Sequence, residues 1–92
     1  MATLAVMFKI DGQGVVQALQ QAGEKLGTTG NGHVVFDFSA VRRIDPAGLA
    51  AMEELAGRAD GQGVKVALRG VHIEVYKVLK LAKLTPRFLF LS

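Results

Sequence analysis

The stretch from Val34 to Leu49, Val-Val-Phe-Asp-Phe-Ser-Ala-Val-Arg-Arg-Ile-Asp-Pro-Ala-Gly-Leu, constrains the fold more than any other part of the chain. Val34, Phe36 and Phe38 alternate with Val35 and Asp37, which is the period of a strand with one buried face. Asp45 then stands directly before Pro46, and an apolar helical pattern follows. Aspartate at that place predicts an N-cap, because its carboxylate accepts from the free N–H groups of the first helical turn. Proline suits the first helical position, where no N–H is needed. Gly48 removes a side chain from that turn and lets a neighbour approach closely. A strand, a short loop and a capped helix are therefore expected in immediate succession.

The rest of the chain repeats the alternation. Leu4, Val6, Phe8 and Ile10 face one way, Ala5, Met7 and Lys9 the other, and Asp11-Gly12-Gln13-Gly14 makes a turn. A first helix is predicted from about Val15 to Leu26, with Val15, Leu19, Ala22 and Leu26 on one stripe, followed by a flexible connection from Gly27 to Gly32. The second helix runs from Pro46 to about Ala59, with Leu49, Met52, Ala56 and Ala59 inward and Glu53, Glu54 and Arg58 outward. Asp60-Gly61-Gln62-Gly63 ends it, as glycine does at a helix C-terminus. Val64, Val66 and Leu68 make a third strand. A third helix is predicted from His72 to Lys83, burying Val75, Val78, Leu79 and Ala82, and Pro86 breaks it before a short strand at Phe88–Leu91.

Strand–helix–strand units imply parallel pairing with right-handed crossovers. A sheet covered on both faces has strands that are apolar throughout, whereas Asp37, Lys65 and Arg69 sit opposite the apolar faces of their strands. The prediction is an α/β fold of two layers: a mostly parallel or mixed sheet of about four strands with helices packed on one face. The 92 residues suit a single domain spanning 1–92.

Half of the residues are hydrophobic, which argues against disorder. The absence of cysteine excludes disulfides, thiolate metal sites and cysteine catalysis. The first ten residues lack a basic start and are too short to span a bilayer, and no other apolar run approaches that length. A cytoplasmic protein that does not cross the membrane is expected. The charge is uneven: residues 1–40 carry Lys9 and Lys25 against Asp11, Glu24 and Asp37, whereas residues 41–92 carry nine basic and five acidic side chains. That basic half suits an acidic partner, a membrane surface, or simply solvent. Nothing in it marks a nucleic-acid binder, since no basic run is interleaved with aromatics.

No catalytic arrangement emerges. His33 and His72 begin a strand and a helix, outside any ligand-like spacing, and read as structural. Asp37, Asp45, Glu53 and Glu54 could be imagined as acid–base groups, but Asp45 reads as a cap and the two glutamates as a solvated helix face. Gly12-Gln13-Gly14 and Gly27 to Gly32 do not match a phosphate-cradling loop. No catalytic residue, metal site or cofactor is expected.

The Asp37-Phe38-Ser39 strand end, followed by Ile44-Asp45-x-x-Gly48-Leu49 opening a helix, resembles the signature of STAS domains (sulphate transporter and anti-sigma factor antagonist). The likeness continues through Gly61–Val71 and Val75–Leu84. It implies a sheet with helices on one side. The family usually begins with a two-stranded hairpin, whereas only one strand is legible here before the first helix. In the family the Asp-x-x-Gly-Leu loop is the working surface. Many members carry a serine immediately before its glycine, and a partner kinase phosphorylates it to break binding. Phosphate places nearly two negative charges at a helix N-terminus. Here that position is Ala47, and the preceding position, often Ser or Thr, is Pro46. Both hydroxyls are missing, so the resemblance implies a docking surface without the phosphorylation site. Ser39 reads as a turn residue.

The resemblance implies a non-enzymatic interaction module. One form is an anti-sigma factor antagonist binding an anti-sigma-like or kinase-like partner. A second is the small STAS subunit of a bacterial phospholipid-transport ABC system, docking on its ATPase, although that subgroup usually has threonine where this chain has Pro46. A third class is a nucleotide- or anionic-membrane-binding domain. The expected partner-binding residues are Arg42, Arg43, Asp45, Pro46, Ala47, Gly48 and Leu49. A helix N-terminus there presents unpaired N–H groups, two arginines add charge, and small side chains permit close approach. A homodimer is a further arrangement open to such a module.

Overall fold

A computed structural model of the chain describes residues 6–26 and 32–91. Its elements are β1 (Val6–Lys9), α1 (Val15–Lys25), β2 (His33–Asp37), α2 (Pro46–Gln62), β3 (Lys65–Arg69), α3 (Ile73–Leu81) and β4 (Leu89–Leu91), with a 3-10 turn at Thr85–Arg87. The strands form one sheet in the order β1-β2-β3-β4, and every pairing is parallel. Each crossover steps to the next strand in the same direction, so crossovers of one hand place all the helices on one face. This is the expected two-layer α/β architecture.

The alternation in the strands decides which side chains meet those helices. Val34, Phe36, Phe38, Val66 and Leu68 are buried with Leu19, Ala22 and Leu26 of the first helical segment, Met52, Leu55, Ala56 and Ala59 of α2, and Val75 and Leu79 of α3. Each large side chain buried in this way contributes about 1.5–3 kcal/mol. Phe8 packs edge-on against Phe36, with ring centroids 5.4 Å apart. On the other face Met7, Lys9, His33, Lys65, Arg69, Leu89 and Leu91 are exposed. Ala67 is buried even there, its one methyl group standing between Val35 and Leu89 in the register.

Several boundaries differ from those expected. α2 continues past Ala59 to Gln62 and closes at Gly63, whose φ is 68° and whose N–H turns back to the Ala59 and Asp60 carbonyls. Gly57 and Gly61 each cost about 1 kcal/mol of helix propensity. Both face solvent, while Leu55, Ala56 and Ala59 pack inward, and burial outweighs propensity. α3 is shorter than His72–Lys83. Lys83 adopts a φ of 61°, its N–H bonds to the Lys80 carbonyl at 3.0 Å, and the Leu84 N–H bonds to the Leu79 carbonyl at 2.9 Å. These paired bonds form a Schellman closure with lysine where glycine is common. Val78 and Ala82, expected inside, are half-buried, as are Val15 and Leu49. Phe88 is buried before β4 begins at Leu89. Leu4, Ala5, the connection from Gly27 to Asn31 and any hairpin partner of β1 lie outside the described residues.

The turn after β1 presses against the loop after β2. A Cβ added at Gly12 would overlap the Ala40 carbonyl oxygen, a backbone atom that cannot rotate away. Gly12→Ala should therefore destabilise the chain by about 1–3 kcal/mol, the usual cost of overpacking. Urea denaturation checks this, and an unchanged midpoint would mean that the two loops are not locked together.

Candidate functional site

Parallel strands joined by returning helices collect their outgoing loops at the carboxyl end of the sheet, where open α/β sheets place their working surfaces. Here those loops are Asp11–Gly14, Ser39–Asp45 and Gly70–His72. The ladder is carried past the last paired residues by the Ile10 N–H on the Asp37 carbonyl at 3.0 Å and the Phe38 N–H on the Arg69 carbonyl at 2.8 Å. The Ser39 N–H then donates to Asp37 Oδ1 at 2.9 Å, and the Val41 N–H to the Phe38 carbonyl at 2.9 Å. Val41 is fully buried and anchors the loop from below. His72 Nε2 donates to the Ser39 carbonyl at 2.9 Å, so the histidine ties the start of α3 to this loop.

The entry to α2 is built as its residue types require. Asp45 is extended (φ −91°, ψ 174°), and its Oδ1 accepts from the Gly48 N–H at 2.7 Å. Pro46 occupies the first helical position. Gly48 is buried because Ile44 folds over it. A Cβ there would lie 2.9 Å from Ile44 Cγ1 and 3.2 Å from Asp45 Oδ1. Of the expected contact residues, Arg42, Arg43, Asp45, Pro46 and Ala47 lie on the surface. Gly48 is buried and Leu49 half-buried, so these two shape the loop rather than present it.

Sequence reasoning missed a second wall. Gly12, Gln13, Gly14, Val15, Val16 and Gln17 face Arg43, Ile44 and Asp45 across a cleft of about 530 Å³. α1 has no side-chain cap at Gly14. The N-termini of α1 and α2 thus open towards one cleft, with Arg43 at its lip, and their partial positive charges add to the arginine. Gly12-Gln13-Gly14 next to a helix start was the available signal, but its pairing with the α2 entry requires the strand order.

Asp37 sits in the last paired row, between Lys9 and Arg69. Hydrogen bonds from the Ser39 side chain and N–H hold its carboxyl below the usual carboxylate range. Partial desolvation opposes them, and Arg69 and Lys9 reinforce the lowering.

A parallel sheet with helices on one face, left by an Asp-Phe-Ser strand end and re-entered through an Asp-capped helix, defines the class, and the chain belongs to the STAS domain family: residues 9–90 match the family model described as Mlab, STAS domain. Among curated proteins it is similar to the intermembrane phospholipid transport system binding protein MlaB of Escherichia coli (strain K12). The two are 37% identical over 82 residues, covering 89% of this chain and 80% of the relative. The Shigella flexneri protein of the same name matches to the same extent. Among solved structures, one from Thermotoga maritima assigned to the anti-sigma factor antagonists superposes with a TM-score of 0.72 at 17% identity, over 92% of this chain and 74% of that one. At that identity the likeness concerns the fold. No helix among the described residues is long and apolar enough to cross a membrane.

Two predictions follow from the loop chemistry. Asp45→Ala removes a capping bond and should cost about 0.5–2 kcal/mol; a denaturation midpoint that does not move would contradict the cap. Asp37 has a depressed folded-state pKa, so its stabilisation is present above the unfolded value of about 3.9 and is lost as pH falls through the folded value. The stability gap between the parent chain and Asp37→Asn, measured in urea at several pH values, should accordingly narrow towards acid. A gap that stays constant with pH would contradict the role of the ionised carboxylate.

Proposed function

We propose that the chain is a non-catalytic STAS subunit of a phospholipid-transport ABC system and that it docks on the system's ATPase, on the cytoplasmic side, through the Arg42–Leu49 loop. One observation carries this reading over the anti-sigma one: 37% identity across 82 residues to MlaB proteins, against a likeness of fold alone to the anti-sigma factor antagonist group. The loop geometry supports a docking role. Pro46 and Ala47 are exposed at a helix N-terminus whose own acid, Asp45, is engaged in capping, while Arg42 and Arg43 lie exposed with no ion-pair partner among the described residues. An acidic or mixed partner surface finds a small, electropositive landing site there, continued by the cleft against α1.

Ala47 has no hydroxyl, so phosphorylation at the family position does not regulate this contact. Ala47→Glu places a negative charge where relatives would carry phosphate. Because Ala47 is exposed, the variant should fold as the parent does. Binding to the ATPase subunit of a phospholipid-transport ABC system from the same cell, measured by co-purification and titration calorimetry, should fall at least about tenfold, which corresponds to about 1.4 kcal/mol. A parent chain that does not bind the ATPase contradicts the transport reading. An Ala47→Glu chain that binds as tightly as the parent removes the loop from the interface.

A further inference from the structure

The face of the sheet away from the helices is ordered in rows. Met7, Val35, Ala67 and Leu89 stand in register across all four strands and make a wholly apolar middle row. Two residues further along the strands come Lys9, Asp37, Arg69 and Leu91, and two residues back His33 stands beside Lys65. Strand alternation points all of these side chains to the same side. Met7 and Leu89 are each 52% exposed at the borders, whereas Ala67 lies low between its neighbours. The result is a hollow of about 350 Å³, floored by Val35 and Ala67, walled by Leu89 and Leu91, and closed at one end by His33 and Lys65.

We infer that this hollow receives an amphipathic α-helix of another protein, laid along the strands, with an apolar stripe between acidic ends. The surface lies on the opposite side of the sheet from α2, so this contact is separate from docking through the Arg42–Leu49 loop. Sheet type supports a helix first. All-parallel sheets occur almost only where helices cover both faces. Here every pairing is parallel, yet the helices of the described residues cover one face. Size supports it next. From β1 to β4 the strands span about 14 Å, and a helix with its side chains is about 10–12 Å across. Such a helix rests on Val35 and Ala67, with Met7 on one side and Leu89 on the other. Along the strands Lys65 and Arg69 lie four residues apart, about 13 Å, which about nine residues of helix span. A patch of this size suits one helix held in a groove by a few apolar anchors rather than a folded domain.

Charge decides what kind of helix. Lys9, Lys65 and Arg69 stand around the apolar row, with Asp37 the one carboxylate among them. Both ends of the hollow are therefore net basic: Lys65 at one, Lys9 and Arg69 against Asp37 at the other. Acidic side chains at both ends of the helix meet this pattern, and basic ones are repelled. Other occupants fit less well. A second copy stacking its open face here would set Lys9, Lys65 and Arg69 against their own kind. An anionic bilayer matches the charge, but a plane resting on Met7 and Leu89 leaves the floor at Val35 and Ala67 uncovered.

Titration of the full chain with a blocked helical peptide tests this, using leucines along one face of the peptide and glutamates at both ends. Its counterpart with lysines for the glutamates is the control. Amide shifts followed by NMR should move at Val35, Ala67 and Leu89 and stay still along Arg42–Leu49, and the glutamate peptide should bind at least about tenfold tighter than the lysine one. Leu89→Glu, at a half-exposed position, should weaken the glutamate peptide by about tenfold while the chain stays folded. Lys65→Glu combined with Arg69→Glu, both at exposed positions, should reverse the preference between the two peptides. Overturning results are a glutamate peptide that does not bind, equal binding of the two peptides, shifts confined to the Arg42–Leu49 loop, or a preference that survives the double charge reversal. Sedimentation of the chain with phosphatidylglycerol vesicles, without binding of the glutamate peptide, assigns the face to lipid and overturns the inference too.

Discussion

The parallel pairing of β2 with both neighbours is the constraint on which the rest depends. Val34 stands beside Val6 and Val66, Phe36 beside Phe8 and Leu68, and Asp37 beside Lys9 and Arg69. A slip of one residue would turn Val34 and Phe36 out to solvent and Asp37 into the core, so the register has no near competitor. Because every pair is parallel, each strand leaves the sheet at the same end and each helix begins there. The loops after β1, β2 and β3 are thereby brought together, with Gly12 against Ala40 and His72 on Ser39. The cleft and the α2 entry follow from the register rather than from any local motif.

This explains what could be read from the chain alone. The strands were legible because Val34, Phe36 and Phe38 are apolar while Asp37, Lys65 and Arg69 are not, a contrast that only a half-covered sheet permits. Asp45 and Pro46 were legible because a helix N-terminus has its own local chemistry. Helix ends set by tertiary packing were not. Gly57 and Gly61 argue locally for stopping α2, but Leu55, Ala56 and Ala59 are already held by their neighbours and carry the helix onward. The end of α3 was missed for the opposite reason. Lys83 takes a left-handed backbone that its side chain disfavours, so no glycine announced the turn. The Gln13–Gln17 wall of the cleft was invisible because neither loop contains the information that the other is adjacent.

At the α2 entry, the residues divide between building the surface and presenting it. Val41, Ile44 and Gly48 lie beneath, with Gly48 fitted under Ile44 so closely that a methyl group would collide. Arg42, Arg43, Pro46 and Ala47 lie above. Asp45, exposed beside them, keeps its single negative charge and spends one oxygen on the Gly48 N–H. The two guanidinium groups outnumber that one carboxylate, so with the helix terminus the local balance stays positive.

That arrangement bears on how such a contact is controlled. A hydroxyl in this turn lets a kinase reverse the local field by adding phosphate. With Pro46 and Ala47 in its place, the field has one sign at all times and the backbone is held by the proline ring and the Asp45 cap. A rigid, permanently electropositive turn loses little conformational freedom on docking and offers no covalent means of release. On the proposed reading, control of the docking is sought outside this loop, in the concentration and conformation of the partner. This suits a structural subunit of a transport assembly better than a switch that must let go on a signal.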